Sequence, residues 1–150
     1  MSEILLIASD HAGYELKQSL INLMGKNFFK DLGTNSENNV DYPDYSIKVV
    51  DEILNNPKKK GILICGSGIG MSISANRYKG IRASLCHTPE MTKLSREHND
   101  ANILVLPGRF IDVKVAKLCI DSFLNTEFSG ERHKRRIEKI DKWIKYILII

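Results

Sequence analysis

Hydrophobic positions along the chain alternate between two periods. Short apolar or β-rich runs at 3–8 (EILLIA), 28–34 (FFKDLGT), 61–66 (GILICG), 81–86 (IRASLC) and 102–107 (NILVLP) have the length of buried strands. Between them the spacing becomes helical. Leu16, Leu20, Ile21, Leu23 and Met24 recur along 14–24, and 41–54 carries a proline suited to an early helical position. A short helix is expected over 69–78. Another over 88–99 has Thr88 as cap and Pro89 in its first turn, and an amphipathic one over 112–124 is capped by Asp112. A last helix is expected over about 131–146.

Strands that alternate with helices over short connections predict a five-stranded parallel sheet with helices on both faces. This is a single doubly wound α/β/α domain spanning 1–150. In such sheets ligands bind beyond the carboxyl ends of the strands. Asp10 and His11, the stretch Cys65 to Gly70, and Arg109 all fall at those ends. His98 sits at the far end of its helix, before the last strand, and the sequence alone does not join it to that group.

Composition changes this picture little. The chain of 150 residues is 43% hydrophobic and 27% charged, an ordinary globular make-up in a chain long enough to fold without staples. Its net charge of +4 does not by itself imply nucleic acid. The basic excess is local, with seven Lys or Arg against four acids in 126–150. That segment reads either as a solvated helix face or as an anion site. Glu131, Glu138 and Asp141 interrupt it and no aromatic platform accompanies it, so no nucleic-acid partner is expected. The first ten residues lack the basic start and apolar length of a signal peptide. The apolar end at 143–150 is far shorter than the ~20 residues that span a bilayer, and is expected to pack on the fold or on another subunit. No membrane partner and a cytoplasmic location are therefore expected. Cys65, Cys86 and Cys119 form no C-x-x-C pair, which suits reduced thiols. The histidines at 11, 87, 98 and 133 lack ligand spacing, so no metal site is expected.

The chemistry concentrates in 65–70, CGSGIG. The loop lacks the G-x-G-x-x-G dinucleotide fingerprint with its acid about 20 positions on. It also lacks the Lys-Ser/Thr pair of a P-loop, since Met71 and Ser72 follow Gly70. What remains is a strand-to-helix turn whose backbone N–H groups can hold a phosphate or an oxyanion, or a tight turn with no ligand. An electropositive setting of this kind favours the anionic form of a neighbouring thiol, so Cys65 reads as a reactive group or as a core residue. Cys86 and Cys119 lack that setting and read as small buried hydrophobes. Arg132 and Arg136, four apart on one helix face, read as a phosphate fork or as surface charge. His133 reads as a surface residue, and His87 carries no assignment.

Six ordered stretches, SDHAGYELK, DYPDY, GILICGSGIGMSISANR, GIRAS, LSREHNDANILVLPGR and GERHKRRIEKI, resemble the ribose-5-phosphate isomerase B family, which is related to the galactose-6-phosphate isomerase subunits. The resemblance implies a single Rossmann-like α/β/α domain of the ribose/galactose isomerase type over nearly the whole chain. It implies a cofactor-free aldose–ketose isomerase of the pentose phosphate pathway, acting through a cis-enediolate, and a homodimer or dimer of dimers with interfacial sites. By that resemblance Cys65 is the base. The chain has Met71 where one branch of the family carries a catalytic glutamate, and so is similar to the cysteine branch. Gly66, Ser67, Gly68, Ile69 and Gly70 match the enediolate-binding turn, with the Ser67 hydroxyl moving a proton between oxygens. His98 matches the ring-opening histidine, Asp10 assists at the sugar and Asn99 contacts it. His11, Arg109, Arg132 and Arg136 match the phosphate end.

The resemblance does not fix sugar length. An isomerase of allose or galactose 6-phosphate and a sugar-phosphate-binding domain without catalysis stand beside the pentose enzyme. A pure binder has no use for a base, and the set Cys65, Ser67 and His98 speaks against it.

Overall fold

The computed structural model describes residues 4–143, and all five expected strands form one parallel sheet. In chain order the elements are β1 (Leu5–Ser9), α1 (Tyr14–Met24), β2 (Phe29–Asp31), α2 (Tyr42–Asn55), β3 (Gly61–Cys65) and α3 (Ile69–Ala75). They continue with β4 (Ala83–Leu85), α4 (Pro89–Asn99), β5 (Ile103–Pro107), α5 (Val113–Asn125) and α6 (Glu131–Lys142). The strand order is β2-β1-β3-β5-β4, so the chain steps out from β1 to β2, crosses back to β3, reaches the far edge at β4 and then inserts β5 between β3 and β4.

The apolar runs form central strands because both faces of the sheet are covered, so a strand has no polar side to show. Every residue of β1, β3 and β5 is buried. Alternate side chains enter two separate cores. Leu5, Ile7, Ile62, Ile64, Leu104 and Leu106 pack with Leu20 of α1 and Ile120 and Phe123 of α5. Leu6, Ala8, Leu63, Cys65 and Val105 pack with Val49, Val50 and Ile53 of α2 and Met71 and Ala75 of α3. Helical spacing is visible in the buried positions of α5, which are Ala116, Cys119, Ile120 and Phe123.

The starts of α4 and α5 follow the expected capping chemistry. Thr88 accepts from the Met91 N–H at 3.2 Å and Asp112 from the Lys114 N–H at 2.8 Å. Some boundaries differ from expectation. β2 and β4 keep only three residues each, because edge strands pair on one side alone. The short third helix stops at Ala75 instead of reaching 78. α6 ends at Lys142, and the expected continuation to 146 and most of the apolar end 143–150 lie outside the described residues.

Among the described residues no helix is long and apolar enough to cross a membrane, and no three His, Cys, Asp or Glu side chains gather as metal ligands.

Candidate active site

The parallel sheet brings the ends of β1, β3 and β5 together at its carboxyl edge. There Asp10, His11, Cys65, Gly66, Ser67, Gly70 and Arg109 line one cavity of about 370 Å³, joined by Ala12, Tyr42 and Phe110. Backbone pairing continues past the strands and fixes this arrangement. The Asp10 N–H donates to the Ile64 carbonyl at 3.2 Å, the Gly108 N–H to Cys65 at 2.8 Å and the Arg109 N–H to Gly66 at 3.0 Å. Asp10 is 6% exposed and accepts from the Gly13 N–H at 3.0 Å, so its carboxylate is held in one direction. Cys65 is 4% exposed on the α2/α3 face of the sheet, yet reaches the cavity wall.

Local sequence explains the turn. Gly68 has φ +78, and a Cβ there would collide with the Leu85 side chain. The Ser67 hydroxyl accepts from the Ile69 N–H at 3.2 Å and closes the turn into α3. The first-turn N–H groups of a helix have no partner within the helix, and here the Ile69 N–H is taken by Ser67. Gly68 and Ile69 belong to the turn without lining the cavity. His11 is fixed by the Val40 peptide, its Nδ1 lying 3.2 Å from the carbonyl and 3.3 Å from the N–H. His11 and Arg109 also border a neighbouring cavity of about 600 Å³ on the α1/α5 side.

The remaining expected residues lie elsewhere. α4 carries the chain from the carboxyl edge back to the start of β5, so His98 and Asn99 lie at the opposite, amino edge. Arg82, just before β4, marks that edge by donating through Nε to the Asn99 and Asp100 carbonyls at 3.0 Å each. The five-residue strand β3 separates the two edges by roughly 13 Å. α5 makes the same return, so α6 with Arg132 and Arg136 also sits at the amino edge, where it contacts α4. The expected phosphate set is therefore divided within one chain, with His11 and Arg109 at one edge and Arg132 and Arg136 at the other.

His133 corrects its reading as a surface residue. It is 9% exposed and stacks on His98, with ring centroids 4.3 Å apart and planes 12° from parallel. Burial lowers its pKa, and the neighbouring charges of His98, Arg132 and Arg136 act in the same direction. Cys119 and Cys86 are buried as expected, and burial pushes the Cys119 thiol up. His87 is exposed beyond β4. Tyr42 and Phe110 are further cavity residues that the motifs did not single out. A Cβ on Gly70 would stand 2.7 Å from the Tyr42 ring, a closeness set by α2 packing on α3.

Known proteins share this arrangement of the chain. A ribose 5-phosphate isomerase from Thermotoga maritima is 56% identical and superposes with a TM-score of 0.90, over 95% of this chain and 99% of its own. A ribose-5-phosphate isomerase B from Mycoplasma genitalium, solved with bound ribulose-5-phosphate, is 40% identical with a TM-score of 0.88, over 97% and 99% of the two chains. The ribose-5-phosphate isomerase B of Escherichia coli is 38% identical over 87% of this chain and 89% of its own. A protein from Rickettsia conorii, assigned to sugar phosphate isomerases by name only, is 50% identical over 91% and 96%. The family model for Ribose/Galactose Isomerase matches residues 5–140, and the chain belongs to that family.

Proposed function

We propose that this isomerase interconverts ribose 5-phosphate and ribulose 5-phosphate in the cytoplasm, as a step of the pentose phosphate pathway, with Cys65 as the base. The observation that carries the reading is the cavity in which the Cys65 wall, the Asp10 carboxylate and the glycine turn meet. The relatives named for ribose 5-phosphate isomerase, one of them holding ribulose 5-phosphate, support the choice of substrate.

The chemistry runs through these side chains. The furanose ring opens when a proton leaves the anomeric hydroxyl and another reaches the ring oxygen, with Asp10 and His98 at the two oxygens. The Cys65 thiolate then removes the proton on C2 and leaves a cis-enediolate, whose charge the N–H groups of the 66–70 turn hold. Ser67 carries a proton from the oxygen on C2 to the oxygen on C1, and Cys65 returns its proton to C1, which gives the ketose. Asn99 contacts the sugar. His11, Arg109, Arg132 and Arg136 hold the phosphate, which takes no part in the chemistry and positions the sugar.

One chain divides this set between the two edges of the sheet. The site is therefore proposed to form between two copies, the carboxyl edge of one facing the amino edge of the other. A twofold homodimer gives two such sites. Exposed apolar residues flank the cavity, among them Ile69 at 55%, Ile73 at 55% and Phe110 at 74% exposure, and suit a face that a second copy covers.

A coupled assay run side by side on ribose 5-phosphate, allose 6-phosphate and galactose 6-phosphate tests the reading. Turnover on the pentose should exceed turnover on both hexoses. A hexose preference would move the chain to the six-carbon branch, and tight binding without turnover of any of the three would make it a sensing domain.

A further inference from the structure

We propose that His133 is a positioning residue for His98, its buried imidazole serving as a flat platform that fixes the orientation of the His98 ring. The pairing of the rings stands on geometry. Its consequence for catalysis rests on the ring-opening role given to His98 above.

α6 is almost wholly polar, and its one buried residue is His133. Its neighbours Arg132, Lys134, Arg135 and Arg136 are all exposed. The two rings lie nearly parallel at 4.3 Å, in direct face-to-face contact. The backbone sets that contact from both sides. Ser129, just before α6, donates its N–H to the Glu97 carbonyl at 3.0 Å, next to His98 in sequence. His133 itself donates its N–H to Gly130 at 3.0 Å. Two residues before His98 in α4, the buried Arg96 donates to the Thr126 carbonyl through Nε at 3.2 Å. The segment that leads into α6 is thus fastened to the last turn of α4, and the stack follows directly after these fastenings.

His98 needs such a restraint. It is half-buried in the last turn of its helix, where helices fray, and its side chain has two rotatable bonds. A proton-transfer group misplaced by about 1 Å can lose up to about a hundredfold in rate. A leucine at 133 would fill the space but give no flat surface. Two stacked imidazoles also cannot both carry a proton at low cost. The charged groups acting on His133 are His98 from α4 and Glu131, Arg132 and Arg136 from its own helix. Only Glu131 favours the proton on His133. Burial and these charges therefore disfavour a proton on His133.

The test compares the full-length wild type with His133→Phe, His133→Ala and a double variant with His98→Asn. His133→Phe keeps a flat ring and should hold kcat on ribose 5-phosphate within about threefold of wild type. His133→Ala should lower kcat about tenfold with KM nearly unchanged, on the scale of a misplaced proton-transfer group. In the His98→Asn background His133→Ala should cost almost nothing more, since its effect passes through His98. An unchanged kcat in His133→Ala, a rise in KM alone, or the same loss in the His98→Asn background would each overturn the proposal. A histidine-labelled NMR titration of the wild type tests the pairing without activity. It should show His133 titrating below the ordinary histidine range, and that curve should move up in His98→Asn. A His133 curve that does not move in His98→Asn would overturn the stack. If wild type turns over none of the sugar phosphates, the functional reading fails, and the titration still decides the pairing.

Discussion

The two edges of the sheet hold their functional groups in different ways. At the carboxyl edge, Asp10, Cys65 and Arg109 stand directly on strand ends, and the hydrogen bonds that continue from β1 to β3 and from β3 to β5 fix their spacing. At the amino edge, His98 and its neighbours stand on helix ends. Their positions depend on two helices far apart in sequence being fastened side by side. Each edge is braced by a buried cation. Lys17, fully buried, donates to Asp31 at 2.6 Å and to the Thr34 carbonyl at 2.7 Å, which pins the segment after β2. Arg96, 5% exposed, bonds Asp100 and the Ala101 carbonyl at 2.7 Å each and the Thr126 carbonyl at 3.2 Å, which pins the segment before α6. The contrast is one of support: strand ends are placed by the hydrogen bonds of the sheet itself, helix ends by contacts between elements distant in sequence.

The largest expected effect breaks the carboxyl edge alone. Cys65→Ala should lower kcat by at least about a thousandfold, within the reach of a lost general base, while the fold and phosphate affinity persist. Solvent-proton exchange at C2 measured by NMR checks this, and near-normal exchange in a folded variant would remove Cys65 from the base role. Next, His98→Asn at the amino edge should slow appearance of the open-chain aldehyde from ribose 5-phosphate by about ten- to a hundredfold, the low end of what acid–base catalysis contributes. Rapid-mixing detection of that aldehyde at the wild-type rate would sink the ring-opening role.

Smaller effects sharpen the comparison through stability. Asp31→Ala leaves Lys17 buried without its carboxylate and should cost about 3–5 kcal/mol, read by urea unfolding. Losing an exposed pair is far cheaper, so Lys117→Ala, which frees Asp121 on the surface of α5, should cost less than about 1 kcal/mol. The smallest effect is a pH dependence at the amino edge. The pKa of His133 is lowered on folding, so the unfolded chain takes up the proton first as pH falls. The stabilisation is present above the ordinary value of 6.5 and declines as pH drops below it. The slope of Tm against pH between about 5 and 6.5 should therefore flatten in His133→Phe.

The carboxyl edge was legible in the sequence because its signals are local. A buried run that ends in CGSGIG names the strand, the turn and the helix start within a dozen residues. The rule that ligands gather at strand ends then joins Asp10, Cys65 and Arg109 without further information. The amino edge was not legible in the same way. His133 lies among Arg132, Lys134, Arg135 and Arg136, and nothing in that run distinguishes a buried position from a solvated one. Its burial comes from α4, more than thirty residues away, through a contact that no local periodicity encodes. Tyr42 was hidden for a related reason. The stretch DYPDY reads as a helix start, and only the packing of α2 on α3 brings its ring to Gly70.

A site assembled from both edges requires two copies of the chain, and subunit mixing tests that requirement directly. Cys65→Ala and His98→Asn proteins are dissociated together, reassociated and assayed on ribose 5-phosphate, with the residual activity of each homodimer subtracted. In a twofold dimer with random pairing about half the molecules are mixed, and each mixed dimer carries one intact site of two. A shared site predicts recovery to about a quarter of wild-type activity. No recovery, with mixed dimers shown to form, would contradict it, because a site built within one chain leaves a lesion in every copy.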